Sequence, residues 1–361
     1  MSSTWGSNIK ITIFGESHGK GVGIVIDGLP AGFELNMEII EKDMRRRAPG
    51  QSEISTARKE EDKVEILSGI FREKTTGAPL CGFIRNTDAR SEGYDCGSPR
   101  PGSADLTAFM KYNGYNDFRG SGHFSGRMTA PLTFAGSIAR QILSDKGIEI
   151  AAHILQIGDI KDTSFEEAGL TIIDKQILNL LIDSDFPLLN KNVKQRMTQS
   201  ILNAKEEKDS VGGVIECAAI GLPPGLGSPF FESVESSIAS LTFSVPGVKG
   251  ISFGSGFGFA LLKGSQANDE IYFCDGQFRT RTNHDGGING GITNGMPLIL
   301  QTVIRPTASI GLAQNTVNLK TGESEKISIS GRHDPCIVPR AVVVIESILA
   351  ICILDCMSLG N

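Results

Sequence analysis

Gly28-Leu29-Pro30-Ala31-Gly32 follows an apolar run from Val22 to Asp27, and the chain writes the same turn again as Gly221-Leu222-Pro223-Pro224-Gly225. Glycine at both ends with proline between them marks a tight reversal. Each copy stands after a strand-like stretch and before a helix-like one. Two further echoes keep the same order. Thr76-Gly77-Ala78-Pro79-Leu80 is matched by Asn294-Gly295-Met296-Pro297-Leu298, each ahead of a strand, and Gly126-Arg127 by Gly331-Arg332, each ahead of an apolar helix. The spacing drifts, as loop insertions would make it drift. The pattern reads as a duplicated α+β unit within one domain over 1–361. Its halves lie near 1–150 and 205–361, with a polar helical insertion near 160–210. Chance among many glycines is the competing explanation. A two-fold pseudo-axis would bring Arg127 and Arg332 to matching places beside one cleft, where a ligand fits.

Outward from the first turn, Ile9 to Phe14 alternates as a strand. Asn36 is placed to cap a helix carrying Met37, Ile40 and Met44, and Arg45-Arg46-Arg47 suits that helix's C-terminal dipole. Strands are expected near Val64–Ser68 and Leu80–Asn86. Asp88 to Gly126 reads as one long loop, a feature associated with function. A helix opened by Pro131 should run to about Lys146 and stop at Gly147. Ala341 to Leu354 reads as a buried helix, interrupted by Glu346 and too short to span a bilayer.

The chain has 361 residues, 40% hydrophobic and 21% charged, which excludes a disordered tail protein. Its net charge of −6 disfavours general nucleic-acid binding. The seven cysteines are odd in number and form no C-x-x-C pair, so disulfide frameworks and zinc ribbons are disfavoured and a reducing cytoplasm fits. No basic segment followed by an apolar run opens the chain, so no secretory signal is expected. Glycine is in excess at 43 residues, and it collects where a backbone must turn or approach something closely.

Several clusters could carry chemistry. Gly15-Glu16-Ser17-His18-Gly19-Lys20-Gly21 offers backbone N–H groups to an anion and a histidine able to act as general acid, although a surface turn with an incidental histidine reads equally well. It lacks the Walker A order. Arg45, Arg46, Arg47 and Arg58 form a candidate claw for phosphate or carboxylate; a solvated helix end is the commoner use of such a triplet. Arg119-Gly120-Ser121-Gly122-His123-Phe124-Ser125-Gly126-Arg127 can aim N–H dipoles at an anion. Asn283-His284-Asp285-Gly286-Gly287 through Gly290-Gly291 is a second glycine bed, suited to a heterocycle. A metal site there lacks the companion ligands, and none is expected. Arg305-Pro306-Thr307-Ala308-Ser309 fits a phosphate tail, and Arg332-His333-Asp334 sets a base among cations. The inventory suggests an enzyme for a small polyanion with a phosphate-bearing cofactor.

Taken in order along nearly the whole chain, these pieces resemble the chorismate synthase family. The resemblance is carried by Phe14-Gly15-Glu16-Ser17-His18-Gly19, Arg45-Arg46-Arg47-Ala48-Pro49-Gly50, Ser55-Thr56-Ala57-Arg58, Glu65 to Gly69 and Asn86-Thr87-Asp88. It continues in Gly264-Ser265-Gln266, Asn283 to Gly287, Arg305-Pro306-Thr307 and Gly331-Arg332-His333-Asp334-Pro335-Cys336. It implies a sandwich of antiparallel sheets with helices packed between them, assembled as a homotetramer. It implies elimination of phosphate from 5-enolpyruvylshikimate 3-phosphate, giving chorismate, with reduced FMN required. No flavin-reductase domain is visible in the sequence, so an external reductant is expected. Arg47, Arg127 and Arg332 would then contact the anionic substrate, and Arg46 and Arg58 are further candidates for the same role. His18 matches the acid, Asp334 the group that assists proton removal, and Ser17 and Ser125 hydroxyls of the relay. FMN would lie against Pro246-Gly247, His123-Phe124-Ser125, His284, Gly290, Arg332 and the run from Arg305 through Pro306, Thr307 and Ala308 to Ser309. One departure stands out. The family's R-P-G-H-A-D segment reads Arg100-Pro101-Gly102-Ser103-Ala104-Asp105, so a second histidine is replaced by Ser103. His123, where many relatives carry arginine, is expected to supply part of the lost imidazole. An impaired FMN-binding relative is the alternative reading.

Overall fold

Alternating apolar residues build the strands, and their pairing gives two sheets. The computed structural model describes residues 3–50, 54, 60–88, 97–329 and 334–357. The first sheet holds β1 (Lys10–Gly15), β2 (Gly21–Asp27), β3 (Val64–Ser68) and β4 (Leu80–Arg85), in the order β1-β2-β4-β3. The second holds β5 (Glu149–Ile157), β6 (Gly213–Ile220), β7 (Val248–Phe253) and β8 (Leu298–Ile304), in the order β5-β6-β8-β7. Each therefore runs first, second, fourth, third, with every pairing antiparallel. A two-residue edge strand flanks each first strand, Thr4–Trp5 beside β1 and Ile160–Lys161 beside β5. The turns after β2 and β6 open with Gly28 and Gly221, at φ of 93° and 78°, which an L side chain resists.

Seven helices of eight or more residues occur among the described residues: α1 (Met37–Arg47), α2 (Asp105–Tyr112), α3 (Thr129–Ser144), α4 (Lys175–Ile182), α5 (Lys194–Glu206), α6 (Val234–Thr242) and α7 (Val338–Cys356). Asn36 caps α1 as expected, its Oδ1 accepting from Glu38 N at 2.9 Å and Ile39 N at 3.3 Å. Helices α1, α3, α6 and α7 fill the space between the sheets. Helix α3 lies on β2 and β4, α7 lies on β5 and β6, and the two pack on each other. Both are buried nearly all round; in α3 only Arg140 and Ser144 escape. They cross at Gly136, where a Cβ would run into Ser347. The architecture is thus the α+β sandwich expected, in four layers.

The structure corrects two readings. The stretch from Asp88 to Gly126 is not one loop, because α2 occupies Asp105–Tyr112. Its apolar residues Leu106 and Met110 face solvent, so no buried stripe betrayed it. The 160–210 segment is not merely polar either. Phe165, Ile173, Leu178 and Leu181 pack on Ala151, Ala218 and Ile299, covering the outer face of the second sheet.

Candidate active site

Helices α3 and α7 begin at the same end of the sandwich, and their N-termini meet at the C-terminus of α1. Arg47 joins them. Its Nε donates to Thr129 Oγ1 at 3.1 Å, its Nη2 to the Gly126 carbonyl at 3.1 Å, and its own carbonyl accepts from Arg340 Nε at 3.0 Å. Two helix N-termini aimed into one place favour negative charge there.

From Arg47 the hydrogen bonds can be followed around a circuit. Arg47 Nη1 reaches Asp62 Oδ2 at 2.6 Å, and Arg127 Nη1 binds the other oxygen of the same carboxylate. Glu60 also meets Arg127, at 3.0 Å. Arg127 Nε donates to Asn86 Oδ1 at 3.1 Å, and Asn86 Nδ2 donates to the carbonyls of Glu16 and Gly19, both at 2.9 Å. Those carbonyls bracket Ser17 and His18. The backbone N–H of Ser17 donates to Gly122 O at 3.1 Å, and His18 lies under Gly120. Ser121 Oγ takes a bond from Arg100 Nη2 at 2.7 Å, and Arg100 Nη1 donates to Ser309 Oγ at 3.0 Å. Two residues back, Thr307 Oγ1 donates to the Asp334 carbonyl at 2.6 Å, and the Asp334 carboxylate is held by Arg340, which returns to Arg47.

The charges on this circuit are largely balanced. Burial opposes ionisation of Asp62, yet Arg47 and Arg127 outweigh it and hold its carboxyl below the usual range. Burial pulls the Arg127 guanidinium down, against the attraction of Asp62 and with repulsion from Arg47. Asp105 is half-buried, and Arg100 still keeps its carboxyl low. Burial raises the Cys336 thiol to about 12, so no thiolate stands beside Asp334 near neutral pH.

Ser17, His18, Arg47, Arg127, Asp334 and the run Arg305–Ser309 thus share one end of the molecule. Arg305 N donates to Gly247 O at 2.9 Å, and its guanidinium reaches Gly102 O at 2.6 Å, which brings Pro246-Gly247 to the same rim. Ser125 Oγ accepts from Arg127 N at 3.2 Å at the turn into α3. Phe124 packs on Tyr112 of α2. His123 turns its Nδ1 to the Gly15 carbonyl at 2.8 Å, so that nitrogen carries a proton, and its Nε2 faces Ser3 Oγ at 3.4 Å. Ser103 is occupied locally, donating to Arg100 O and accepting from Asp105 N at the start of α2.

Two sets of expected residues are placed apart from the circuit. Arg46 does not join the anion site: its two terminal nitrogens grip Glu346 at 2.7 and 2.9 Å inside the core, where Arg140 and Asp43 complete a neutral foursome. His284 and Gly290 lie by the start of β8, whereas Arg305 leaves its end. Seven extended residues separate those ends by roughly 20 Å. His284 is instead paired through Nδ1 with Glu166 of the 160–210 segment, at 2.8 Å. Arg58 and Arg332 fall outside the described residues. Conversely, Asp62, Glu60 and Arg340 stand in no motif quoted above, and Asn86 and Arg100 stand in such motifs without a role assigned. Asp62 sits in a charged run, Lys59-Glu60-Glu61-Asp62-Lys63, that reads as solvated surface. Among the described residues no group of three or more His, Cys, Asp or Glu could hold a metal ion, and no helix is long and apolar enough to cross a membrane.

The family model described as chorismate synthase matches residues 9–358. The chorismate synthase of Korarchaeum cryptofilum is 46% identical over 353 residues, covering 97% of this chain and 96% of that one. Those of Methanocaldococcus jannaschii and Synechocystis are 45% and 44% identical, over 100% and 98% of this chain and 97% of each relative. A crystal structure of a chorismate synthase superposes with a TM-score of 0.77 at 29% identity, covering 97% of this chain and 92% of that one.

Proposed function

The chain belongs to the chorismate synthase family, and from that premise we propose how its residues divide the work. The protein is a carbon–oxygen lyase of aromatic amino acid biosynthesis. It eliminates phosphate from 5-enolpyruvylshikimate 3-phosphate in a 1,4 sense to give chorismate. The substrate carries a phosphate and two carboxylates, so its binding requires cations and helix N-termini. Arg47 and Arg127, prepositioned by Asp62, are the groups we assign to it, and the resemblance adds Arg332 and Arg58. His18 delivers a proton to the departing phosphate, since a protonated leaving group departs more readily. The Asp334 carboxylate, anchored by Arg340, receives a proton on the other side of the reaction. Ser17 and Ser125 offer hydroxyls along the proton's path.

The rim formed by Pro246-Gly247, Phe124-Ser125 and Arg305–Ser309 suits FMN. It joins a cation and two hydroxyls for a phosphate to an aromatic face for a ring. Reduced FMN, when bound there, supplies electron density as the C–O bond breaks. His123 lies at this rim, but its Nδ1 is committed to Gly15, which leaves only Nε2 to replace the imidazole absent at Ser103. We further propose a homotetramer located in the cytoplasm and fed by an external flavin reductant. The gap of roughly 20 Å along β8 within one chain supports the assembly, because a second copy can bring His284 and Gly290 to the rim.

The observation that carries this reading is the circuit linking His18, Arg47, Arg127 and Asp334 at two helix N-termini. The test is an anaerobic assay with photoreduced FMN, with and without NAD(P)H. Chorismate formed from photoreduced flavin alone supports an externally reduced lyase. Turnover driven by NAD(P)H without photoreduction would place a reductase within this chain. Flavin binding without chorismate would favour the impaired relative that Ser103 suggests.

A further inference from the structure

Gly120, Ser121 and Gly122 are held consecutively in the left-handed region, with φ of 56°, 67° and 52°. Glycine enters that region freely and serine does not. The arch is nevertheless fixed from both sides. Ser17 N donates to Gly122 O at 3.1 Å, and Ser121 Oγ is held by Arg100 Nη2 at 2.7 Å. Arg100 is itself rigid, bound to both oxygens of Asp105 and to Ser309 Oγ. The underside of the arch rests on the His18 imidazole. A Cβ added at Gly120 would overlap the ring at Cε1 and Nδ1. The charged groups on this side are Asp117, paired with Arg119 and held low by it and in part by His18, and Glu16, whose charge reaches Arg119.

We propose that Ser121 is a positioning residue for His18: its hydroxyl, gripped by Arg100, locks the left-handed arch onto the imidazole and so fixes the direction in which the ring presents its proton. The same Arg100 reaches Ser309, so acid and cofactor rim are set from one guanidinium. A glycine at 121 would take the same backbone shape without a handle to hold it there. The inference rests on the assignment of His18 as the acid.

The test compares Ser121→Gly with Ser121→Asn, which tolerates left-handed backbone and keeps an acceptor for Arg100. Ser121→Gly should lower kcat about tenfold with KM changed less than about twofold. It should also move the pH limb of kcat/KM and the His18 imidazole signal in an NMR titration of the chain's five histidines. Ser121→Asn should recover most of kcat and return both pH readouts to their wild-type positions. A Ser121→Gly enzyme with wild-type kcat and an unmoved pH profile overturns the proposal. If His18→Ala turns over normally, the acid assignment falls instead. The NMR titration alone then decides the arch, and a His18 signal indifferent to Ser121→Gly overturns it.

Discussion

Arg46 and Arg47 are neighbours in the chain with separate tasks, because successive residues of a helix point about 100° apart. Arg46 turns inward to Glu346, a carboxylate with no exposure that also receives the Ala152 N–H at 3.1 Å. Arg47 turns along the helix end to Asp62, Thr129 and Gly126. A sequence shows three arginines in a row and cannot show which of them finds a buried partner, since Glu346 lies three hundred residues away on another helix. The two substitutions should therefore fail differently. Arg46→Gln leaves Glu346 with Arg140 alone and should cost about 3 kcal/mol of stability, the lower end for breaking a buried ion pair. KM of the folded enzyme should stay within about twofold. Arg47→Gln removes a charge-assisted contact at the site and should lower kcat/KM by about tenfold to hundredfold. Urea denaturation and steady-state kinetics on both proteins check this. If Arg46→Gln raises KM as far as Arg47→Gln does, the division is wrong.

At the scale of elements, the 160–206 segment is pinned to the second sheet by a charged latch. His153 on β5 is fully buried, with Nε2 2.9 Å from Glu216 on β6 and Nδ1 3.3 Å from Asp162. Glu216 also accepts from Phe165 N and Gln301 Nε2, and Asp162 from Leu189 N and Asn190 N. Burial pushes the imidazole toward neutrality, but the two carboxylates outweigh it and its pKa is raised above the usual value. Stability from the charged ring is then fully present below about pH 6.5 and is lost as pH rises through the raised folded value. Amide protection of Phe165 and Leu189, corrected for intrinsic exchange, should fall at alkaline pH in the wild type and lose that dependence in His153→Gln. Protection flat with pH in the wild type would rule the latch out. Elements buried along most of their length, such as β2 and α7, could be read in advance because burial demands an apolar run. The helix α2 and the latch could not. The first has no buried stripe, and the second depends on a histidine and two acids that only strand pairing brings together.

For the whole molecule, we propose that the chain arose from one duplicated unit: the two sheets share a strand order, and the Gly-Leu-Pro turn recurs after the second strand of each. Its two halves are not finished alike. The outer face of the second sheet is covered by α4 and Phe165, while that of the first carries the Phe14–Phe83 stack, ring centroids 6.4 Å apart, with Leu67 62% exposed. The second half in turn projects a hairpin, Ile271–Cys274 paired with Gln277–Thr280, bearing Phe273 and Phe278 at 62% and 74% exposure. Phe231 and Phe257 stand out almost wholly in solvent. Apolar surface of this extent marks contact with another protein, and the second copy proposed above would also close the distance from His284 and Gly290 to Arg305. Replacing both Phe273 and Phe278 by serine should therefore do two things at once. The assembly, measured by light scattering on a sizing column, should fall from a tetramer to a smaller species, and FMN affinity should weaken by about tenfold, the loss of a single contact set. The secondary structure of each chain should be unchanged, since both rings lie outside the core. Dissociation with undiminished FMN binding would mean that His284 and Gly290 serve no flavin in any subunit, and an intact tetramer would mean that the hairpin is not where the copies meet.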